Sequence, residues 1–434
     1  MWGKTRAKEA AKEADVKAIT LSLLGKLLPE ERPFAVRLWD GTVLPSSTEP
    51  PKATLVIQGS DTLGRVLEPP LDLAAGEAYI RGDLDIEGDH EAVFEVIETF
   101  GPRLSPLDWV QLAQGATKLR RHAGLSSLPL GTVLRGRKHS KERDQQAVQH
   151  HYDISNRFYE LLLDPRLIYS CAYFPQGDES LAEAQTAKLE LLCRKLRLKP
   201  GERLLDVGCG WGGLAIYAAQ NYGVEVVGVT LSQKQLDEGR NRVEQAGLAD
   251  KITLELRHYR DIEGDFDKIV SVGMSEHVGR ENLPEYFKTA FTHLKPGGLM
   301  LNHAISQGSR ANDIPTTVIS GELSERYIFP DGDIVPLWET LKTAEETGFE
   351  VRDVEDLREH YAKTLRFWAQ NLDANWDAIL AEVGTKLARL RRFHLSAAAL
   401  QFAYGHVALH QALLAKPDAV GKVELPPSRD DIYA

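Results

Sequence analysis

Residues 204–213 read Leu-Leu-Asp-Val-Gly-Cys-Gly-Trp-Gly-Gly, an apolar strand that ends in an acid and runs straight into a glycine-rich turn. Glycines at 208, 210 and 212 admit backbone conformations closed to other residues and let the chain approach a ligand closely. The apolar run 214–219 then opens a helix. Further along, residues 224–230 read as a second buried strand, 266–273 as a later one, and 294–302 as a turn feeding another. Strands alternating with helical stretches predict an α/β fold on a parallel, doubly wound sheet.

Asp206 constrains what the turn can hold. A dinucleotide fingerprint is Gly-x-Gly-x-x-Gly with a helix N-terminus facing a pyrophosphate. Here a carboxylate stands just before Gly208 and Gly210, and a fixed anion repels pyrophosphate and attracts a cation. The run resembles motif I of the S-adenosylmethionine (SAM) methyltransferases, whose cofactor carries an ammonium and a sulfonium. That resemblance implies a Rossmann-like catalytic domain.

At 434 residues the chain exceeds one comfortable domain, so two are expected, one large enough to bury a full sheet core. No stretch has the apolar length of a membrane span and no charged-then-apolar leader opens the chain, so a soluble, intracellular protein is expected. The three cysteines, Cys171, Cys193 and Cys209, lack Cys-x-x-Cys or Cys/His spacing; neither a disulfide scaffold nor a metal site is expected. A formal charge of −11 weighs against nucleic acid as a partner.

That charge is unevenly placed. Between Lys118 and Arg143 stand Lys118, Arg120, Arg121, Arg135, Arg137, Lys138, Lys141 and Arg143, against the single acid Glu142. Gly124, Pro129, Gly131 and Gly136 in the same stretch mark residues 116–144 as a basic linker between domains. Contact with anionic lipid headgroups is its functional reading, at about 1 kcal/mol for each Lys or Arg near the surface. Before it, residues 1–115 form a smaller α+β domain. Val16, Ile19, Leu23, Leu24, Leu27 and Leu28 fall at helical spacing, residues 34–39 and 54–58 read as short strands, and the glycines and acids of 78–88 read as turn chemistry. This domain carries no catalytic constellation, and lipid or membrane association is the function expected of it.

Residues 150–160 read His-His-Tyr-Asp-Ile-Ser-Asn-Arg-Phe-Tyr-Glu, and 169–174 read Tyr-Ser-Cys-Ala-Tyr-Phe. These segments resemble the cyclopropane-fatty-acyl-phospholipid synthases and the related mycolic acid cyclopropane synthases. The resemblance continues through Gly-Val-Thr-Leu-Ser at 228–232, His-Tyr-Arg-Asp at 258–261, Ser-Val-Gly-Met-Ser-Glu-His-Val-Gly at 271–279, Arg-Tyr-Ile-Phe-Pro at 326–330 and His-Tyr-Ala-Lys-Thr-Leu at 360–365. It covers nearly all of residues 145–434, the expected catalytic domain, and extends more loosely to Gly-Asp-Leu-Asp-Ile-Glu-Gly at 82–88. Ser275 departs from the aromatic residue that many relatives have before the Glu-His pair.

The resemblance implies transfer of a methylene group from SAM to the cis double bond of an unsaturated phospholipid acyl chain, giving a cyclopropane. Such a double bond is a poor nucleophile and needs a methyl group as activated as that of a sulfonium. Attack leaves a carbocation, and ring closure requires the new methyl to lose a proton to a base beside a greasy chain with bulk water excluded. In this family the base implied is a bound bicarbonate, and by motif Cys171, Glu276, His303, Ile305 and Tyr361 fall at the positions that hold it, Ile305 through its backbone. A small oxyanion with its own hydroxyl needs several donors and one acceptor; His303 and Tyr361 can donate, and Glu276 can accept. For the cofactor, the resemblance implies Asp206, Gly208 and Gly210 at the methionine portion and Tyr169 and Ser170 closing over that end. By the same resemblance Thr230 and Gln235 stand in at the ribose for the acid that many methyltransferases have there, Leu231 is a further cofactor-binding position, and Tyr259 and Arg260 flank the adenine. A homodimer is implied as well.

Apolar surface beyond what the sheet requires is expected from residues 326–338, with Tyr327, Ile328, Phe329 and Trp338, and from Phe367, Trp368, Phe393, Phe402 and Tyr404. Moving an acyl chain from a bilayer into such a tunnel exchanges one apolar medium for another, so the ~0.8 kcal/mol per buried CH₂ largely cancels. Affinity must come from the headgroup side, which favours an enzyme docked peripherally on the inner face of the cell membrane. An alternative keeps the same site and quenches the cation differently, giving a methylene- or methyl-branched chain. A non-catalytic lipid carrier would leave the glycine turn and Glu276 without a role.

Overall fold

The computed structural model describes residues 2–99, 104–120, 134–152, 154–313 and 321–433. Residues 121–133 of the expected linker, with Arg121, Gly124, Pro129 and Gly131, lie outside the described residues, as does Asp153. The chain divides into two compact units. Among the described residues the first takes those within Met1–Gly131, Asn312–Ile328 and Val383–Leu400, and the second those within Thr132–Ala311, Phe329–Glu382 and Gln401–Ala434. The sequence reading has contiguous domains at 1–115 and 145–434; in the structure two later segments group with the first unit, and residues 134–144 with the second.

The first unit carries a four-stranded sheet of β1 (Phe34–Arg37), β2 (Val43–Leu44), β3 (Ala53–Ile57) and β4 (Leu84–Gly88), in the order β2-β1-β3-β4. Only the β1–β3 pair is parallel. In the helix Trp2–Leu27 the predicted stripe is core: Leu23, Leu24 and Leu27 are buried, as is Leu28 just beyond it. Residues 78–88 are more than a turn, since they end the helix Leu71–Arg81, reverse at Gly82 (φ 83°) and form β4. The late segment joins this unit for a local reason. Gly384, at φ 75° and ψ 161°, breaks the helix Trp376–Ala403. Beyond the break Arg389 lies 4.1 Å over the Tyr79 ring and donates to the carbonyls of Tyr79 and Leu84. Phe393 packs on Tyr79 and Phe94 at centroid separations of 5.5 and 4.8 Å.

The second unit is built on seven strands: β5 (Arg203–Val207), β6 (Glu225–Thr230), β7 (Ile252–Leu256), β8 (Phe266–Val272), β9 (Leu294–Gln307), β10 (Glu350–Asp356) and β11 (Val407–Ala415). Their order is β10-β11-β9-β8-β5-β6-β7. The five strands from β9 to β7 run parallel, as the alternation predicts. β11 is antiparallel to both of its neighbours, so the sheet is mixed rather than wholly parallel. Consecutive residues face opposite sides. Leu204, Val270 and Leu301 enter one core with Leu189, Leu192 and Leu196 of the helix Leu181–Leu196; Leu205, Ile269 and Met300 enter the other with Tyr286 and Phe287 of the helix Leu283–His293. Both faces are covered, which is why these strands read as continuous apolar runs. β5 and β8 are adjacent although the chain leaves β5 toward β6. Ligands bind at such a switch point, outside the carboxyl ends of the strands.

Candidate active site

The glycine turn leaves β5 at that switch point. Gly208, Gly210 and Gly212 take φ values of 85°, 54° and 77°, and the amides of Gly208 and Cys209 both donate to the Val229 carbonyl at 3.0 Å. A Cβ at Gly208 would stand 2.6 Å from Met274 Cγ, whereas one at Gly210 would meet no non-neighbouring atom within 4 Å among the described residues. The turn is therefore tight at its first glycine and open at its second. Asp206 is buried, and its Oδ2 has no hydrogen-bond partner among the described residues. Burial pushes its carboxyl up to about 7, against the opposing charge of Lys188. An orphaned acceptor here fits a ligand that brings donors and positive charge.

The second half of the site forms where β9 outruns β8. The ladder between them ends at the Val272–His303 pair, and Gly273 N–H donates to the His303 carbonyl at 2.8 Å. Two residues on, the Ile305 amide on that edge donates to Glu276 Oε1 at 2.7 Å. The backbone of Ile305 thus serves to seat Glu276. Glu276 Oε2 is shut off from solvent with no partner among the described residues, and burial pushes this carboxyl up to about 7. His303 is fully buried, and its Nδ1 faces the Gln411 amide nitrogen at 3.1 Å. That nitrogen can only donate, so Nδ1 accepts and the ring proton sits on Nε2. Nε2 is buried and without a partner among the described residues. Burial, then the charges of Lys188 and Lys195, hold the imidazole well below its usual range, so it stays neutral. Burial also holds the Tyr361 hydroxyl protonated, in the field of Tyr169, Cys171 and Glu276. The result is an orphaned acceptor, an orphaned N–H donor and a phenol in one region.

Tyr169, Ser170 and Cys171 lie between the two halves. Gln185 Nε2 donates to the Ser170 carbonyl at 2.8 Å, Lys188 Nζ to Ser170 Oγ at 2.9 Å, and Thr364 Oγ1 accepts from the Ala172 amide at 3.0 Å. The Cys171 thiol donates to the Ala172 carbonyl at 3.1 Å, and burial pushes its pKa up, so it is no thiolate nucleophile. Trp211, Tyr159, Tyr169, Trp368, Tyr361 and Phe402 form a continuous aromatic row, with successive centroids 4.7, 5.4, 4.9, 6.1 and 4.6 Å apart. It runs from the glycine turn to the Glu276 region.

Other expected residues are placed differently. Thr230 Oγ1 donates to Gln235 Oε1 at 2.9 Å and accepts the Ser232 amide, so these two expected ribose contacts bind each other, with half-buried Leu231 between them in sequence. Tyr259 has a buried hydroxyl without a partner among the described residues. Arg260 lies 5.0 Å over the Tyr259 ring and is held by Glu285 at 2.7 Å. Of the expected apolar surface, Trp368 and Phe402 join the aromatic row, but Tyr327, Ile328 and Phe393 belong to the first unit, where Tyr327 donates to Glu77. The basic segment is split in use: Lys141 pairs with Asp261 and Arg143 grips Asp331 with two nitrogens, while Arg135, Arg137 and Lys138 are exposed. Gln185, Lys188 and Gln411 carry no motif, and Thr364 lies in the 360–365 segment without a role implied for it. For the first two a signal was present, since residues 181, 185, 188 and 192 fall on one helical stripe with apolar neighbours.

A mixed sheet of this order, with a buried acid before a glycine turn at its switch point, defines a Rossmann-like SAM-dependent methyltransferase. The chain belongs to the mycolic acid cyclopropane synthetase family, matched over residues 139–412. It is 40% identical over 403 residues to a probable fatty acid methyltransferase of Pseudomonas putida, covering 92% of this chain and 96% of that one. It is 39% identical over 277 residues to the cyclopropane-fatty-acyl-phospholipid synthase of Escherichia coli K12, covering 64% and 69%. The crystal structure of mycolic acid cyclopropane synthase CmaA1 complexed with SAH and CTAB matches with a TM-score of 0.61 and 35% identity, over 63% of this chain and 98% of that one. The methyl donor expected from motif I is thus the family's own.

Proposed function

We propose that the protein transfers a methylene group from SAM to the cis double bond of unsaturated phospholipid acyl chains, forming cyclopropane fatty acyl phospholipids, with bicarbonate as the base. The observation that carries this reading is the pair of orphaned polar atoms at the overrun of β9, Glu276 Oε2 and His303 Nε2. One accepts and the other donates, which is the complement of a small oxyanion bearing its own hydroxyl.

Bound SAM supplies an electrophilic methyl group, and bicarbonate supplies a base that an apolar site otherwise lacks. Asp206 and the open face of Gly210 fit the cationic methionine end. Glu276, fixed through Ile305 N–H, would accept from the hydroxyl of a bound bicarbonate, and His303 Nε2–H and the Tyr361 hydroxyl would donate to it. Tyr169, Trp368, Tyr361 and Phe402 present ring faces to the chain, keep water out and favour positive charge developing beside them. The exposed Arg135, Arg137 and Lys138 supply attraction to anionic headgroups, and no described helix is long and apolar enough to cross a membrane. A second reading, a methylene-branched product, draws support from the name of the P. putida relative and needs only a hydride shift before the proton is lost; a saturated methyl branch would further require a hydride donor. Mass spectrometry of lipids from a host without cyclopropane acids, with and without this chain, tests the reading. A gain of one CH₂ with no loss of ring-plus-double-bond count is expected; unchanged lipids would count against it.

A further inference from the structure

Lys188 is buried in the helix Leu181–Leu196 and takes no part in the chemistry above. The helix is firmly started: Ser180 and Glu183 form a reciprocal cap, with the Glu183 amide 3.3 Å from Ser180 Oγ and the Ser180 amide 2.9 Å from Glu183 Oε2. One turn in, Gln185 and Lys188, three residues apart on one face of the helix, reach the same residue. Gln185 holds the Ser170 carbonyl and Lys188 its hydroxyl. Ser170 is thus clamped at backbone and side chain, between Tyr169 of the aromatic row and Cys171 at the implied anion position.

The charge matters as much as the grip. Burying an ammonium is costly unless opposite charge answers it. The groups that face Lys188 are Asp164 in the loop after the helix Asn156–Leu162, Cys171, Cys193 on its own helix, Asp206 at the end of β5, and His303 on β9, which feels the Lys188 charge in turn. Asp164 is already occupied, accepting the amides of Arg166 and Ile168. Asp206 is not, and Lys188 is the cation whose field reaches it.

We propose that Lys188 is a positioning residue for both halves of the site: it fixes the Tyr169–Cys171 turn through Ser170 and supplies the positive field that keeps Asp206 ready for the cationic end of SAM. This rests on the methyltransferase reading and deepens it. Burial pushes Asp206 up to about 7 and Lys188 down to about 8, so each helps the other stay charged near neutrality. Without the ammonium the Asp206 carboxyl rises further, and binding of a cation beside it requires more alkaline solution.

The test is SAM affinity by calorimetry on the full chain between pH 6 and 9, with melting temperature on the same samples. Wild type should show affinity rising through neutral pH, and Asp206→Asn should bind weakly without that rise. Lys188→Gln keeps a donor for Ser170 but no charge: its rise should move to higher pH by about one unit, costing about fivefold in affinity at pH 7 and little at pH 9. Lys188→Met should bind more weakly at every pH. Should Lys188→Met fail to fold, Ser170→Ala isolates the grip and should weaken binding without moving the rise. A Lys188→Gln rise that superimposes on wild type, or one that persists in Asp206→Asn, overturns the proposal. Absence of SAM binding to the wild-type chain would instead count against the cofactor assignment itself.

Discussion

Among the described residues the Glu276 carboxyl accepts from the Ile305 amide while its Oε2 has no partner, and both facts bear on what replacing it does. Glutamine can keep the contact to Ile305 N–H through its carbonyl while removing a carboxylate that burial pushes to about 7. A carboxyl raised above its usual range stabilises the fold fully below that range and loses the contribution as pH climbs through its folded value. Glu276→Gln escapes that loss. Its melting temperature, compared with wild type, should therefore improve between pH 5 and pH 8, while turnover falls by about 10²-fold or more, the scale of a lost general-base contribution. Thermal melts and a lipid-methylation assay on one preparation check both. A collapsed melting temperature would reduce Glu276 to packing, and near-normal turnover would remove it from the chemistry. Glu276 and Tyr361 are legible as polar residues within motifs, and His303 only through the family resemblance. What the sequence hides is their company, because Gln411 lies far along the chain and contacts His303 only through the β9–β11 pairing.

At the scale of elements, the glycine turn divides into a packing position and an approach position. Gly208→Ala forces a Cβ to within 2.6 Å of Met274 Cγ at a φ of 85°, so it should lower the melting temperature, at about 1–3 kcal/mol for the strained backbone alone. Gly210→Ala meets no such neighbour at φ 54° and should fold at a smaller cost, yet lose SAM affinity because the methyl occupies the ligand's approach. Calorimetry and melting on both variants decide; equal SAM affinity in Gly210→Ala would show that no ligand passes there. The turn and the strands β5, β6, β8 and β9 are readable because strand, turn and helix signals are local. β11 is not, since its antiparallel insertion between β9 and β10 is a choice among distant partners. The same holds for the strap of residues 134–144, where Arg143 reads as lipid-facing charge but is committed to Asp331.

On the scale of the whole molecule, the membrane docking we propose rests on the exposed Arg135, Arg137 and Lys138 rather than on the basic run entire. Charge reversal at Arg135, Arg137 and Lys138 should abolish co-sedimentation with anionic vesicles at low salt. Raising salt should do the same to wild type as the Debye length shrinks from about 10 Å at 0.1 M to about 3 Å at 1 M. Indifference to both would leave the segment structural. The division into units was only partly legible: an N-terminal α+β unit is readable from its short strands, but the return of residues 383–400 to it depends on Gly384 breaking a helix and on Phe393 and Arg389 meeting Tyr79.

The central claim is that an acyl double bond gains a carbon and closes to a ring. Proton NMR of phospholipids from a host that makes no cyclopropane acids, carrying this chain, reads it most directly. Mass alone gives the same gain of one CH₂ for a ring and for a methylene branch, but only ring protons resonate in the high-field cyclopropyl region. The expected result is that signal, with a matching loss of olefinic protons. Added carbon with vinylidene or methyl-branch resonances and an empty cyclopropyl region would contradict it.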